Sequence, residues 1–271
     1  MTEIISRMQN PKIKKLLVLQ QKSSERRKDG LFVVEGQREL SHCISTGFTI
    51  DTIFYCQELI GDSSIELASG EKLELGSLSC RMVEVTAEVY SKIAYRGSTE
   101  GIIAEVRIKK LTLNDLNLPE KPLFMIVESV EKPGNLGAIL RSADAAQADA
   151  VIVCDPLTDL YNPNLIRSSI GAIFCVPCIA CTSEECIRFL KEKQIRILTA
   201  QLQDSRLYYD TDMTQGTAIV MGTESTGLTN QWREAADAHI RIPMLGQLDS
   251  LNVSVSAAIL LFEAVRQRSE E

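Results

Sequence analysis

Hydrophobic positions along the chain fall into two regimes. Between residues 31 and 108 they form short runs rich in Ile, Val and Phe, namely LFVVEG (31–36), DTIFYC (51–56) and GIIAEVRI (101–108). Each run predicts a strand, and residues 37–46 predict a helix that Gly47 terminates. The stretch KKLTLNDLNLPEKP (109–122) mixes polar residues with two prolines, which predicts a linker.

From Leu123 the rhythm is steadier. LFMIVESV (123–130) predicts a buried strand, AILRSADAAQA (138–148) a helix, AVIVCD (150–155) a strand and LIRSSIGAIF (165–174) a helix. RILTAQ (196–201), AIVMG (218–222) and IRIPM (240–244) predict further strands, and a last helix covers about 252–268. Such alternation predicts an α/β fold with a mostly parallel sheet covered by helices. The chain thus divides into a smaller N-terminal α/β domain over 1–108, a linker over 109–120 and a larger domain over 121–271. No low-complexity tract and no repeat of fixed period interrupts it.

Composition agrees with two ordinary globular domains: 271 residues, 45% hydrophobic and 24% charged. The net charge of −7 argues against a bulk polyanion binder, but it conceals a gradient. Residues 1–30 carry eight basic side chains against three acidic ones, a local +5 that leaves −12 for the remainder. A basic segment on an acidic body suits local steering of a phosphate backbone, and it equally suits a solvated helix face. MTEIISRMQN lacks the apolar core of a signal peptide, and no apolar run approaches the ~20 residues that span a bilayer. Eight cysteines without a secretory signal read as reduced thiols. A soluble cytoplasmic protein with no membrane partner is expected.

Several familiar chemistries lack their parts. No G-x-G-x-x-G follows the first strand, and Gly134 and Gly137 are wrongly spaced to replace it. The stretch AIVMGTESTGLT (218–229) approaches a P-loop, but Leu228 stands where the phosphate-binding lysine belongs. Its glycines still permit close backbone approach to a ligand. Cys175, Cys178, Cys181 and Cys186 form C-x2-C-x2-C-x4-C, which invites a metal reading. The flanking sequence is strand-like, and residues three apart on a strand face opposite ways, so buried thiols acting as small hydrophobes are expected and no metal. His42 and His239 are the only histidines. They form no zinc-protease motif, and there is no nucleophile elbow.

What remains is polar side chains beside glycine turns. GNLGAILRSAD (134–144) places Asn135 at a helix start and Arg141 further along. GTESTGL (222–228) places Glu224 in a turn after a strand, and LDSLNVSVSAAILLFEAVRQR (248–268) places Ser250 and Asn252 before a long helix. Ser and Asn there also suit helix N-caps. Polar loops after strand ends are, however, where open α/β sheets bind ligands.

These stretches resemble the three signature motifs of SPOUT-class RNA methyltransferases of the SpoU type, which methylate ribose 2′-oxygens. In order they are NLGAILRSA (135–143), IVMGTESTGL (219–228) and IPMLGQLDSLNVSVSAAILLFEAVRQR (242–268). The third is the most specific, being long and nearly ungapped. NPNLIRSSIGAIF (162–174) resembles a family helix lying between the first two motifs. NPKIKKLLVLQQKSSERRKDGLFVVEGQREL (10–40) resembles, less specifically, the small RNA-binding domain that many such enzymes carry.

The resemblance implies a C-terminal domain whose end threads through itself as a deep trefoil knot, a homodimer, and S-adenosylmethionine as cofactor. It implies Gly222, Ile242, Met244 and Leu251 as cofactor-binding residues. It implies roles in catalysis or substrate placement for Asn135, Arg141, Glu224, Ser250 and Asn252. EKPG precedes Asn135 where many relatives have Asn-Pro, and Ser225 stands where a glycine is common. Neither departure removes a reactive group. The family often treats the arginine at position 141 as the base, yet a guanidinium with a pKa above about 12 is a poor one. Arg141 is better read as a phosphate ligand that orients the hydroxyl. RNA rather than DNA is the expected substrate because it carries the 2′-hydroxyl. The extra N-terminal domain favours ribosomal over transfer RNA by analogy with the family. Transfer RNA methylation and a non-catalytic RNA-binding or assembly factor are the competing readings.

Overall fold

In the computed structural model, the described residues are 4–61, 64–67, 69–95, 100–223, 226–248 and 250–269. Backbone contacts divide the chain into two units, residues 1–110 with 161–175, and residues 111–160 with 176–271.

The first unit begins with α1 (Pro11–Gln21), where Pro11 occupies the first turn and the Asn10 side chain accepts from the Lys12 amide at 2.9 Å. Ile13, Leu16 and Leu19 are buried at helical spacing, while Lys12, Lys14, Lys22, Arg27 and Lys28 remain exposed. Arg26, in α2 (Ser23–Asp29), departs from the basic-face expectation. It is buried, and its guanidinium donates to the carbonyls of Leu19 and Gln20 at 2.6 and 3.2 Å, satisfying the end of α1. Sequence charge counts cannot distinguish a phosphate ligand from such an internal cap.

There follow β1 (Leu31–Glu35), α3 (Gln37–Ser45), β2 (Ile50–Tyr55), α4 (Gln57–Ile60), β3 (Ser64–Glu66), β4 (Lys72–Glu74), β5 (Arg81–Glu84), α5 (Ala87–Ile93) and β6 (Ile102–Arg107). The main sheet has the order β1-β6-β2-β5, antiparallel except for the β2–β5 pair, and β3 and β4 form a separate hairpin. One face packs on α1 and α5, with Phe54, Val83, Val89 and Ile103 in a shared core. Phe32 stacks with Tyr161 and Phe174, at centroid separations of 4.3 and 5.9 Å.

The rest of the chain runs β7 (Leu123–Glu128), α6 (Pro133–Ala145), β8 (Ala150–Cys154), α7 (Pro163–Ser168), α8 (Ala172–Cys175), β9 (Cys178–Cys181) and α9 (Ser183–Glu192). It continues with β10 (Arg196–Ala200), β11 (Arg206–Leu207), β12 (Thr217–Met221), α10 (Asn230–Ala235), β13 (Ala238–Arg241) and α11 (Val253–Ser269). The α6 helix starts earlier than its apolar periodicity predicts, because Pro133 is well suited to a first helical turn. The predicted helix 165–174 is two helices, α7 and α8, which belong to the first unit. Ile170 and Gly171 between them have φ of 54° and 84°, in the left-handed region. A Cβ on Gly171 would lie 2.7 Å from the His42 ring, so that glycine serves close packing as well as the turn.

In the second unit seven strands form one sheet, ordered β11-β13-β10-β12-β7-β8-β9, and every pairing is parallel. Its central strands β7, β8 and β12 are buried on both faces, as the continuous apolar runs require. Phe124, Ile126, Ile152 and Val220 meet α9 and α10 through Phe189, Leu190 and Trp232. The α6 and α11 helices pack on each other; α6 also packs on β8, and α11 on β7 and β12.

Glu105 is a buried liability of the first unit. It is 3% exposed on β6, Lys15 approaches it only to 3.8 Å, and its Oε1 has no hydrogen-bond partner among the described residues. Burial raises its pKa, opposed by Lys15. The folded state therefore holds this proton more tightly than the unfolded state, and stability is lost as pH rises from about 4.3 through the raised folded value. Glu105→Gln is expected to unfold at higher urea than the parent at pH 7 and to gain little at pH 4. Equal gains at both pH values would contradict this.

Candidate active site

The carboxyl ends of β10, β12 and β13 surround a cavity of about 330 Å³, closed on another side by residues leading into α11. Open α/β sheets present ligand sites at this edge because the loops leaving the strands converge there. Gly222 follows β12 directly, Ile242 and Met244 follow β13, and Ser250 and Leu251 precede α11; all five line the cavity. The four positions singled out for cofactor binding are therefore gathered in one place.

The loop after β12 explains why Gly222 is glycine. A Cβ there would lie 2.2–2.5 Å from the backbone of Gly227 and Leu228, closer than any side chain tolerates. Thr223 and Gly227 form an antiparallel bridge, and the Gly227 amide donates to the Thr223 carbonyl at 3.1 Å. Gly227 itself has a φ of 68°. This glycine turn is a cradle of backbone at the cavity wall.

Glu128, the last residue of β7 and 2% exposed, holds the far end of the same loop. Its carboxylate accepts from the Thr229 amide at 2.8 Å and the Thr229 hydroxyl at 2.7 Å. The Ser183 hydroxyl lies 3.3 Å from Glu128 and donates to Asp155 at 2.6 Å, while Trp232 Nε1 donates to Ser183 at 2.9 Å. A buried carboxylate with these donors is satisfied and rigid.

Asn252 joins the third motif to the first. Its Oδ1 accepts from the Ser254 amide at 2.9 Å, as an N-cap would, and its Nδ2 donates to Asn135 Oδ1 at 3.2 Å. Asn135 lies in the first turn of α6, and Arg141 six residues further on. Arg141 is exposed and its side chain makes no ion pair among the described residues. Six residues rotate it by roughly 120° from Asn135, so the two do not share a helix face. Glu224 lies outside the described residues.

Sequence reasoning missed Gln201, Arg233 and Arg241, which also line the cavity. Gln201 Oε1 and Arg233 Nε are buried without a partner among the described residues, a cost of about 1–3 kcal/mol each that a polar ligand would relieve. No local motif marks them; only their position after β10 and within α10 does. The two histidines take structural places, His239 on Thr199 at 2.6 Å and His42 beside Cys175 at 3.5 Å. Cys175 belongs to the first unit, so the four-cysteine spacing does not form one cluster.

The cavity combines a glycine cradle, orphaned polar atoms and an apolar lining that includes Met221, Leu228, Ile240 and Leu260. It suits a ligand with an apolar face and polar edges. Fold and site together define an α/β enzyme with a nucleotide-type pocket at the carboxyl edge of a parallel sheet. Residues 122–262 match the SpoU rRNA Methylase family and residues 10–104 the MRM3-like substrate binding domain. The chain belongs to the SpoU family. It is 38% identical over 191 residues to the 23S rRNA (guanosine-2′-O-)-methyltransferase of Vibrio parahaemolyticus, covering 68% of this chain and 77% of that one. It is 29% identical over 253 residues to a 23S rRNA uridine 2′-O-methyltransferase of Streptomyces viridochromogenes, covering 90% and 86%. An S-adenosylmethionine-bound rRNA methyltransferase from Sinorhizobium meliloti superposes with a TM-score of 0.86 at 26% identity, over 98% of each chain.

Gly222→Ala is expected to leave the far-ultraviolet circular dichroism native and to weaken S-adenosylmethionine at least tenfold by calorimetry. Gly76→Ala, where an added Cβ meets nothing within 4 Å, is the control and should leave affinity within twofold. Equal affinities for both variants would sink the cradle assignment.

Proposed function

We propose that this protein transfers the methyl group of S-adenosylmethionine to a ribose 2′-oxygen of ribosomal RNA. The observation that carries the reading is the Asn252–Asn135 hydrogen bond. It ties the α6 helix that bears Arg141 to the segment lining the glycine-cradled cavity. The related 23S rRNA methyltransferases and the S-adenosylmethionine-bound neighbour support the substrate and the cofactor.

The cofactor supplies an already activated sulfonium methyl group, so the chain's main task is alignment, which supplies roughly 7–11 kcal/mol in well-oriented reactions. Gly222, Ile242, Met244 and Leu251 hold the cofactor, with Gln201 and Arg233 offering their unpaired polar atoms. Arg141 binds the phosphate beside the target ribose and turns the 2′-hydroxyl toward the methyl group. Asn135 and Asn252 place the nucleotide, Ser250 lines the pocket, and the family resemblance gives Glu224 a role in substrate placement. The C–S bond to the methyl breaks as the C–O bond forms, and the hydroxyl proton passes to a neighbouring oxygen rather than to the guanidinium, which does not accept it near neutral pH.

The first unit carries the RNA through its exposed lysines and arginines between residues 7 and 28. Along the sequence, residues 1–108 serve as the RNA-binding domain, 109–120 as a linker and 121–271 as the methyltransferase domain with its trefoil knot, residues 161–175 of the last packing within the first unit. Two copies associate through apolar side chains left in water, among them Leu245, Leu248, Val255 and Phe262. Among the described residues no helix is long and apolar enough to cross a membrane.

The test is transfer of labelled methyl to separated ribosomal and transfer RNA, followed by alkaline digestion, which spares linkages bearing a 2′-O-methyl group. Alkali-resistant label is expected in ribosomal RNA, with at least a hundredfold loss in Arg141→Ala and unchanged cofactor affinity. Label in transfer RNA alone would replace the substrate class. Cofactor binding with no label in free RNA or ribosomal particles would indicate a binding factor instead.

A further inference from the structure

The parallel register of β8 and β9 places Cys154 directly beside Cys181. Paired positions of neighbouring strands face the same way. Cys186 comes down on them from the first turns of α9, whose start is fixed by a reciprocal capping box. Thr182 and Ser183 lead that helix, and the Glu185 carboxylate accepts from the Thr182 amide at 2.9 Å. The three sulfurs all lie within 4.8 Å of one another. Cys154 and Cys186 are fully buried, whereas Cys181 is partly exposed and lines a second cavity of about 360 Å³. This cluster differs from the one suggested by spacing. Cys178 faces the other side of β9, Cys175 lies in the first unit, and Cys154 enters from a strand that no cysteine motif includes.

We propose that Cys154, Cys181 and Cys186 form a three-thiolate site for one zinc ion, with the fourth coordination position open to the cavity beside Cys181. Zinc–sulfur bonds of about 2.3 Å in a tetrahedral shell place sulfurs roughly 3.8 Å apart, so closing the cluster on an ion takes only a small movement. Three soft donors on two paired strands and a capped helix suit a thiophilic d10 cation rather than magnesium or calcium. Cys181 is the sulfur nearest the opening. Metal binding releases the thiol protons as each ligand engages. The site lies at the β8–β9 edge of the sheet, across β7 and β12 from the cavity ringed by β10, β12 and β13. It does not depend on the methylation reading.

The full chain, reduced and stripped with a chelator, is titrated with zinc, and with cadmium to read sulfur-to-metal charge transfer. One equivalent per chain is expected, with three sulfurs at about 2.3 Å in the zinc absorption-edge shell. Cys181→Ser, at the partly exposed position, should weaken binding at least a hundredfold while circular dichroism stays native. Cys178→Ser should bind like the parent. A shell with fewer than three sulfurs, no charge transfer on cadmium addition, or undiminished binding by Cys181→Ser would overturn the site.

Discussion

The Glu128 carboxylate is the constraint on which the second unit's chemistry depends. A charge this deep in the protein is tolerable only with strong donors, and both polar groups of Thr229 provide them. Thr229 closes the loop that begins at Gly222, so one buried charge pins the cavity wall to the end of β7. Ser183 and Trp232 extend the same network into α9 and α10. The glycine turn is thereby held open by bonds made behind it, leaving its front for a ligand.

The central sheet was legible because its strands are buried on both faces and therefore appear as unbroken apolar runs. The first two helices were not, since their apolar positions are diluted by lysines and arginines that cover the outer face. The break between α7 and α8 was hidden for a different reason. A glycine inside an apolar helical pattern is common enough to be tolerated, and only the His42 ring against Gly171 shows why the chain turns there. Local patterns report burial and propensity; they do not report which distant ring occupies the space.

The candidate site divides in the same way. Gly222, Ile242, Met244, Ser250 and Leu251 follow strands or precede a helix within long motifs, and the structure collects them around one cavity. Gln201 and Arg233 sit in no motif, and their relevance lies in polar atoms left unpaired by tertiary packing. The cysteines are the sharpest case. Spacing grouped Cys175 and Cys178 with Cys181 and Cys186, whereas strand pairing substitutes Cys154. Sequence distance measures the chain, while a parallel register measures space.

Asn252 shows why a structural and a chemical role need not compete. Its carbonyl oxygen is occupied by the Ser254 amide, which is the ordinary business of a helix cap. That bond fixes the amide plane, so its nitrogen is aimed at Asn135 without further loss of side-chain freedom. Replacing Asn by Asp would keep the cap and lose the donor, setting two acceptors against each other. Replacing it by Ser would keep the cap but shorten the reach to Asn135. Of the capping residues, only Asn closes the helix and donates across to α6, so the requirement at this position comes from both functions at once.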